Sequence, residues 1–314
     1  MAKRRSQYSL EILLGAKKAS SFQSGINGAK SGLQGISSTA TKVAGLIGAA
    51  FGAIQIKDFV KESVDTFSDY EQSLANTAAI ANATQTEQEQ LNEAAREAGK
   101  ATTKTAKESA DALGYMALAG WNVKESTSAL QPVLKLSAAS NMDLATCSDL
   151  VTDSMSALKL QVKDLPEYLD MVTKAQNSSN MNSQQMMEAY IKAGGAARTL
   201  GVSAKDTGVA LGILANNGTK SAEGGTTLNA ILTRIGSNKN ALSMMGALGI
   251  SIFDTQGKFV GFEKALKRIN AGVSGLSTED KAKALKEIAG TNYYSKMAYL
   301  LDGVKEGANG AKSA

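Results

Sequence analysis

The chain has 314 residues, 43% of them hydrophobic and only 5% aromatic, with 30 glycines, two prolines and a net charge of +5. There is no histidine, and Cys147 is the single cysteine. This excludes Ser-His-Asp and Cys-His catalysis, an intramolecular disulfide and cysteine-cluster metal sites, and it favours a helical core of Ala, Leu, Ile, Val and Met.

Lys3-Arg4-Arg5 is the tight basic cluster of the chain. It is followed by Tyr8-Ser9-Leu10-Glu11, not by an apolar run, so it reads as a solvated arm, not a secretory signal. Contact of this arm with nucleic acid or a membrane surface is the rival reading. Residues 7–14 then alternate, with Tyr8, Leu10, Ile12 and Leu14 apolar, which predicts a short strand.

From Phe22 the period changes to steps of three and four. Phe22, Ile26, Leu33, Ile36, Val43, Ile47 and Ile54 lie on a heptad seam, which predicts a long helix. Interspersed glycines each cost about 1 kcal/mol relative to Ala, so such a helix needs partners. Two readings stay open: packing on the domain behind it, or self-association through those seven residues. Val43 to Ile56 is uncharged and contains Gly48 and Gly52 at Gly-x-x-x-Gly spacing. It is shorter than the roughly 20 residues of a membrane span, which favours a close helix contact over a membrane segment.

Beyond Asp58 the sequence predicts consecutive short helices of roughly 10 to 15 residues. Thr84-x-x-Glu87, Thr105-x-x-Glu108, Asn122-x-x-Glu125, Asn182-x-x-Gln185, Ser203-x-x-Asp206 and Ser277-x-x-Asp280 have the form of N-terminal capping boxes. Gly99, Gly120, Gly201 and Gly218 are the matching stops. Thr105–Val123 and Asn182–Val202 share one design, an Ala-rich helix ending in Gly-x-Val with one extra residue in the first copy. Late in the chain, Ile250–Phe253 and Lys258–Val260 flank Asp254-Thr255-Gln256-Gly257, which predicts a β-hairpin.

Candidate chemistry is sparse. Asn217-Gly218-Thr219-Lys220-Ser221 lacks the glycine spacing of a phosphate loop and reads as a turn leading into a helix. Ser156-x-x-Lys159 stands without the companion elements of serine acyl-enzymes. Glu62-Ser63, Glu108-Ser109 and Glu125-Ser126 share a Glu-Ser step with lytic transglycosylases, without their flanking sequence. Asp149 and Asp153 lie one turn apart and read as helix surface before they read as a cation site. Trp121 is expected to pin a turn between two helices. No catalytic, metal or cofactor-binding residue is assigned.

The expected fold is mainly α. Residues 1–57 form a strand and heptad-patterned helical lead-in, residues 58–300 a multi-helix domain of short capped helices with one small β-hairpin, and residues 301–314 the start of an extension.

Several stretches, in order, carry a resemblance. Tyr115–Trp121, Ala129–Ala139, Ala197–Ser203, Leu214–Gly218, Gly225–Arg234, Leu248–Ile250, Phe253–Gly257 and Ile288–Gly290 resemble the conserved domain of phage tail tape measure proteins, of the lactococcal-phage minor tail type. Gly120, Pro132, Gly201, Gly218, Gly225, Thr226, Leu228, Asp254 and Gly257 are the motif positions. Gly224 and Asn229 depart from the family's usual Ala and Arg. The resemblance implies a non-enzymatic structural protein that scaffolds tail tube assembly, sets tail length and leaves during genome delivery. It implies a place in the virion tail lumen, reached from the host cytoplasm, and a homo-oligomer. The implied partners are the tail tube protein, tail assembly chaperones and tail tip or baseplate proteins, with a host membrane contact, no cofactor and no specific nucleic-acid binding. A membrane-inserting or peptidoglycan-active tail protein is the alternative. Even as one continuous helix the chain would reach only about 470 Å, so the ruler rod is expected beyond Ala314.

Overall fold

The computed structural model describes residues 53–306, with side-chain surroundings from 61 to 304. The strand expected at 7–14, Gly48, Gly52 and the heptad positions from Phe22 to Ile47 lie outside the described residues. Ile54 falls in the first helix, with its side chain also outside them. The chain divides into two units, residues 1–73 and 74–314; the helical domain of the second is the subject below.

The described residues form thirteen α-helices and no strand. These are α1 (Ala53–Ile80), α2 (Gln85–Ala101), α3 (Ala106–Leu118), α4 (Val123–Ser140), α5 (Leu144–Ala157), α6 (Leu165–Ser178) and α7 (Ser183–Leu200). They continue with α8 (Ala204–Asn216), α9 (Ser221–Ser237), α10 (Lys239–Ala247), α11 (Phe262–Ser274), α12 (Thr278–Ala289) and α13 (Tyr294–Glu306). A 3-10 turn, Val162–Asp164, precedes α6.

The helix starts follow from short polar side chains. Thr84, Thr105, Asn122 and Asn182 each accept from the backbone of the third helical residue, whose Glu or Gln returns a bond to the cap N–H. Ser203 and Ser277 accept from Asp206 and Asp280. Two orphan amides are satisfied at each full box, at the positions where the first turn has no internal acceptor.

The helix ends are more uniform than the sequence suggests. Asn82, Gly120, Asn141, Lys159, Gly201, Gly218 and Gly249 all adopt left-handed φ between +48° and +86°. At each, the left-handed residue donates to the carbonyl three back and its successor to the carbonyl five back, as in Trp121 N–H to Met116 O at 3.1 Å and Val202 N–H to Ala197 O at 2.8 Å. These are Schellman closures. The successor is apolar at every link but Thr219. Gly120-Trp121-Asn122 and Gly201-Val202-Ser203 are therefore the same unit, a left-handed residue, an apolar plug and the next cap. The expected alignment on valine, with its extra residue, is corrected to an alignment on glycine.

Gly99 does not stop its helix. The turn continues to Ala101, and a Cβ at Gly99 would sit 2.8 Å from the Ala106 backbone nitrogen. Here glycine lets the start of α3 approach α2. Pro132 lies inside α4, and Pro166 sits in the first turn of α6, where its missing N–H costs nothing. The expected hairpin is a tight reversal with one antiparallel bridge, Phe253 to Phe259, too short for strands. Asp254 Oδ1 accepts from Gln256 and Lys258 amides, Gly257 has φ +76°, and the backbone bond of Asp254 N–H to Lys258 O at 2.9 Å closes the turn.

The core is small-grained, as the composition dictates, with two large aromatics at its centre. Tyr168 and Tyr190 are fully buried, with ring centroids 5.9 Å apart. Tyr168 donates to Ser154 Oγ and Tyr190 to Ala204 O at 3.1 Å, and burial pushes both phenols up. Each hydroxyl thus has a partner where an unpaired one would be costly.

Candidate functional site

Helix α7 is the spine of the domain. It packs against α5, α6, α8 and α9, and α6 also touches α8. Its tightest partner is α9, and three pairs fix the geometry. Gly225 lies on the Ala189 carbonyl, Asn229 Nδ2 donates to Lys192 O at 2.8 Å, and Gly236 lies against Leu200. Both numbers rise together, so α7 and α9 run parallel, with α8 carrying the chain back between them. Leu228, Ile231, Leu232 and Ile235 of α9 are fully buried.

A Cβ at Gly225 would fall within the Ala189 carbonyl and 2.7 Å from the Lys192 Cβ. Asn229 uses the same closeness to bond a backbone oxygen of α7. On the other face of α7, Gly194 admits the end of α5, whose Ala157 backbone would be 2.8 Å from an added Cβ.

The start of α9 is the most constrained turn in the domain. Gly218 has φ +86°, and Ser221, a non-glycine, has φ +54°. Ser221 Oγ donates to the Glu188 carboxylate of α7, which holds the first residue of α9 in that conformation. Gly224 leaves room for the Thr219 carbonyl, 2.9 Å from where a Cβ would stand. Among the described residues the buried Thr219 Oγ1 finds no hydrogen-bond partner. The phosphate-loop look-alike at 217–221 is thus a turn into a helix, as its spacing predicts.

At the far end of α9, Arg234 reaches the last turn of α12. Its guanidinium donates to Glu287 O at 2.8 Å and Ile288 O at 3.4 Å. A cation at a helix C-terminus satisfies orphan carbonyls and complements the dipole. Gly290, with φ +93°, leaves space for it, because a Cβ there would lie 3.2 Å from Arg234 Cδ.

The motif positions therefore sort by geometry. Gly120, Gly201 and Gly218 close helices, Gly225 and Leu228 build the α7–α9 seam, and Asp254 and Gly257 form the reversal before α11. Pro132 is half-buried within α4. Thr226 is exposed and lines a shallow cleft of about 320 Å³ with Glu223, Asn292, Tyr293 and Lys296. Trp121 is half-buried at its Schellman closure, the expected turn position.

The remaining sequence candidates separate as well. Lys159 is a helix-closing residue whose amide donates to Ser156 O at 3.0 Å, so the Ser-x-x-Lys pair is bound through its backbone. Glu108 and Glu125 accept in capping boxes. Cys147 is buried near the Val133 carbonyl, and burial pushes its thiol up to about 12, far from a reactive thiolate. Burial, then the neighbouring Asp153, raises the Asp149 carboxyl. Among the described residues no three His, Cys, Asp or Glu side chains gather as a metal site, and no helix is long and apolar enough to cross a membrane. Glu188 and Arg234, which tie α7 to α9 and α9 to α12, carry no local sequence signal.

Residues 92–290 match the phage-related minor tail protein family, over the helices just described. The chain belongs to that family. It is 29% identical over 250 residues to a tape measure protein of Pneumococcus phage Dp-1, covering 79% of this chain and 22% of that protein. It is 24% identical over 220 residues to a probable tape measure protein of Escherichia phage P2, covering 69% of this chain and 27% of that one. The chain thus spans about a quarter of the length of these relatives. No solved structure matches. The minor tail family match begins in α2 and ends on Gly290, the residue that admits Arg234. It encloses the α7–α9 seam and every motif position quoted above.

Proposed function

We propose that this chain is the folded part of a tail tape measure protein, a structural component that scaffolds tube assembly and sets tail length. The observation that carries the reading is the minor tail family match over 92–290, with relatives named as tape measure proteins. The mechanism is physical. A rigid helical head docks to neighbouring tail proteins through its helix faces, tube subunits polymerise around the remainder, and no bond is made or broken. The tail tube protein, assembly chaperones and tip or baseplate proteins are the proposed partners, the tail lumen is the proposed location, and release during genome delivery is the last step.

The test is removal of residues 74–304 from the gene in its natural phage or prophage, with tails measured by electron microscopy. Loss of tails, or loss of their defined length, is expected. Normal numbers of tails at normal length would refute the reading. The heptad positions from Phe22 to Ile54 are proposed as a self-association seam. Light scattering on the chain with and without residues 1–57 checks it, with a fall in mass on truncation expected.

A further inference from the structure

The described domain is electrically lopsided along its own sequence. Residues 74–191 carry nine Lys/Arg against fourteen Asp/Glu, a net of −5, whereas residues 192–304 carry fourteen against eight, a net of +6. The mild overall charge hides this division. Helix contacts largely follow the division, with α2–α6 forming one connected group and α8–α13 another, joined through α7 and by a contact of α6 with α8.

Both lobes place charge on exposed helix faces. On α2, Glu89, Glu93 and Glu97 stand at i, i+4 and i+8, all exposed, and only Glu97 meets a cation there, Lys100 at 2.6 Å. Like charges at that spacing repel one another. In the other lobe Lys258 and Lys264 are exposed, and on α12 Lys283 pairs with Glu279 at 2.6 Å while Lys286 lies over the Tyr294 ring. One molecule carrying both signs on separate lobes is complementary to its own copy in a head-to-tail sense.

We propose that the domain docks onto a second copy of itself, the acidic α2–α6 lobe of one against the basic α8–α13 lobe of the next. The contact is heterologous, so it repeats as a ring or a stack, unlike a two-fold dimer. It is independent of the seam proposed for residues 1–57, which is apolar.

Sedimentation of the full chain tests it, at low salt and at about 1 M salt, where the Debye length shrinks to about 3 Å. A mass that rises with concentration at low salt and falls at high salt is expected. Glu89→Lys with Glu93→Lys, or Lys258→Glu with Lys264→Glu, should each weaken association about tenfold or more. All four side chains are exposed, and unchanged circular dichroism confirms that the variants fold. Mixed one to one, the two variants should recover a heterodimer, because the first keeps its basic lobe and the second its acidic lobe. A mass indifferent to salt and to both variants overturns the docking and leaves any oligomer to residues 1–57. A mixture that stays as dissociated as its components overturns it too.

Discussion

Gly225→Ala sets two physical rules against each other. In an exposed helix interior Ala is favoured over Gly by about 1 kcal/mol, because it gives up less backbone entropy. At Gly225 the added methyl would enter the Ala189 carbonyl and press on Lys192 Cβ, and a carbonyl held in a helix cannot swing away. Helices α7 and α9 must part, and a gap of 0.5–1 Å forfeits about a quarter to a half of each dispersion contact between them. Overpacking of this kind costs about 1–3 kcal/mol. With a backbone atom as the obstacle, the upper end applies, and the variant should be about 2 kcal/mol less stable after the propensity gain. Gly195 is the internal control. It lies within α7, exposed, with nothing within 4 Å of its would-be Cβ, so Gly195→Ala should add about 1 kcal/mol. For a domain this size, thermal melts by circular dichroism should place Gly225→Ala about 4–8 °C below and Gly195→Ala about 2–4 °C above the parent. Equal melting points for the two variants would refute the close seam.

Other substitutions probe single features. Asn122→Ala removes a cap whose Oδ1 accepts from Glu125 N–H at 2.9 Å and should cost about 1 kcal/mol, read as a lower urea midpoint. Lys159→Gly relieves a left-handed φ of +58° and should stabilise by up to about 1 kcal/mol, read as a higher urea midpoint. Asp149→Asn should stabilise at pH 7 by about 0.3–0.5 kcal/mol, the size of a like-charge pair. The Asp149 carboxyl is raised in the fold, by burial and then by Asp153, so its ionised form is penalised above the folded value and unpenalised below the unfolded one. The gain should therefore disappear as pH falls below about 4, in urea titrations at the two pH values. Glu87 and Asp143 have the opposite sign: hydrogen bonds from the Thr84 and Thr146 backbones lower them, so their contribution is lost as pH falls through the folded value.

Helix starts were legible in the sequence because a cap is a local event, settled by one polar side chain and a partner three residues on. Thr84, Thr105, Asn122 and Asn182 are all of this kind. Helix ends were legible only where glycine filled the left-handed position. Asn82, Asn141 and Lys159 close helices in the same geometry without a glycine to announce it, and Gly99 announces an end that does not occur because its role is close approach. The seam was invisible for a different reason. Gly225 and Ala189 are 36 residues apart, and nothing in either segment says that they meet. Arg234 and Gly290 are farther apart still, and nothing local in either segment pairs them.

The Schellman links have a consequence for synthesis. Seven of the thirteen described helices are sealed by hydrogen bonds from the residues that follow them directly, and much of the packing joins helices that are neighbours or next neighbours in the chain. Such low contact order favours rapid collapse, and domains begin to fold while the chain is still being made. Helices α2–α6 have partners as soon as α7 clears the ribosome, whereas α7 waits for α9 to cover its open side. The interval in which an unpaired spine is exposed is therefore the time needed to translate α8 and α9, and a nascent chain stalled there should be the form most prone to misassembly.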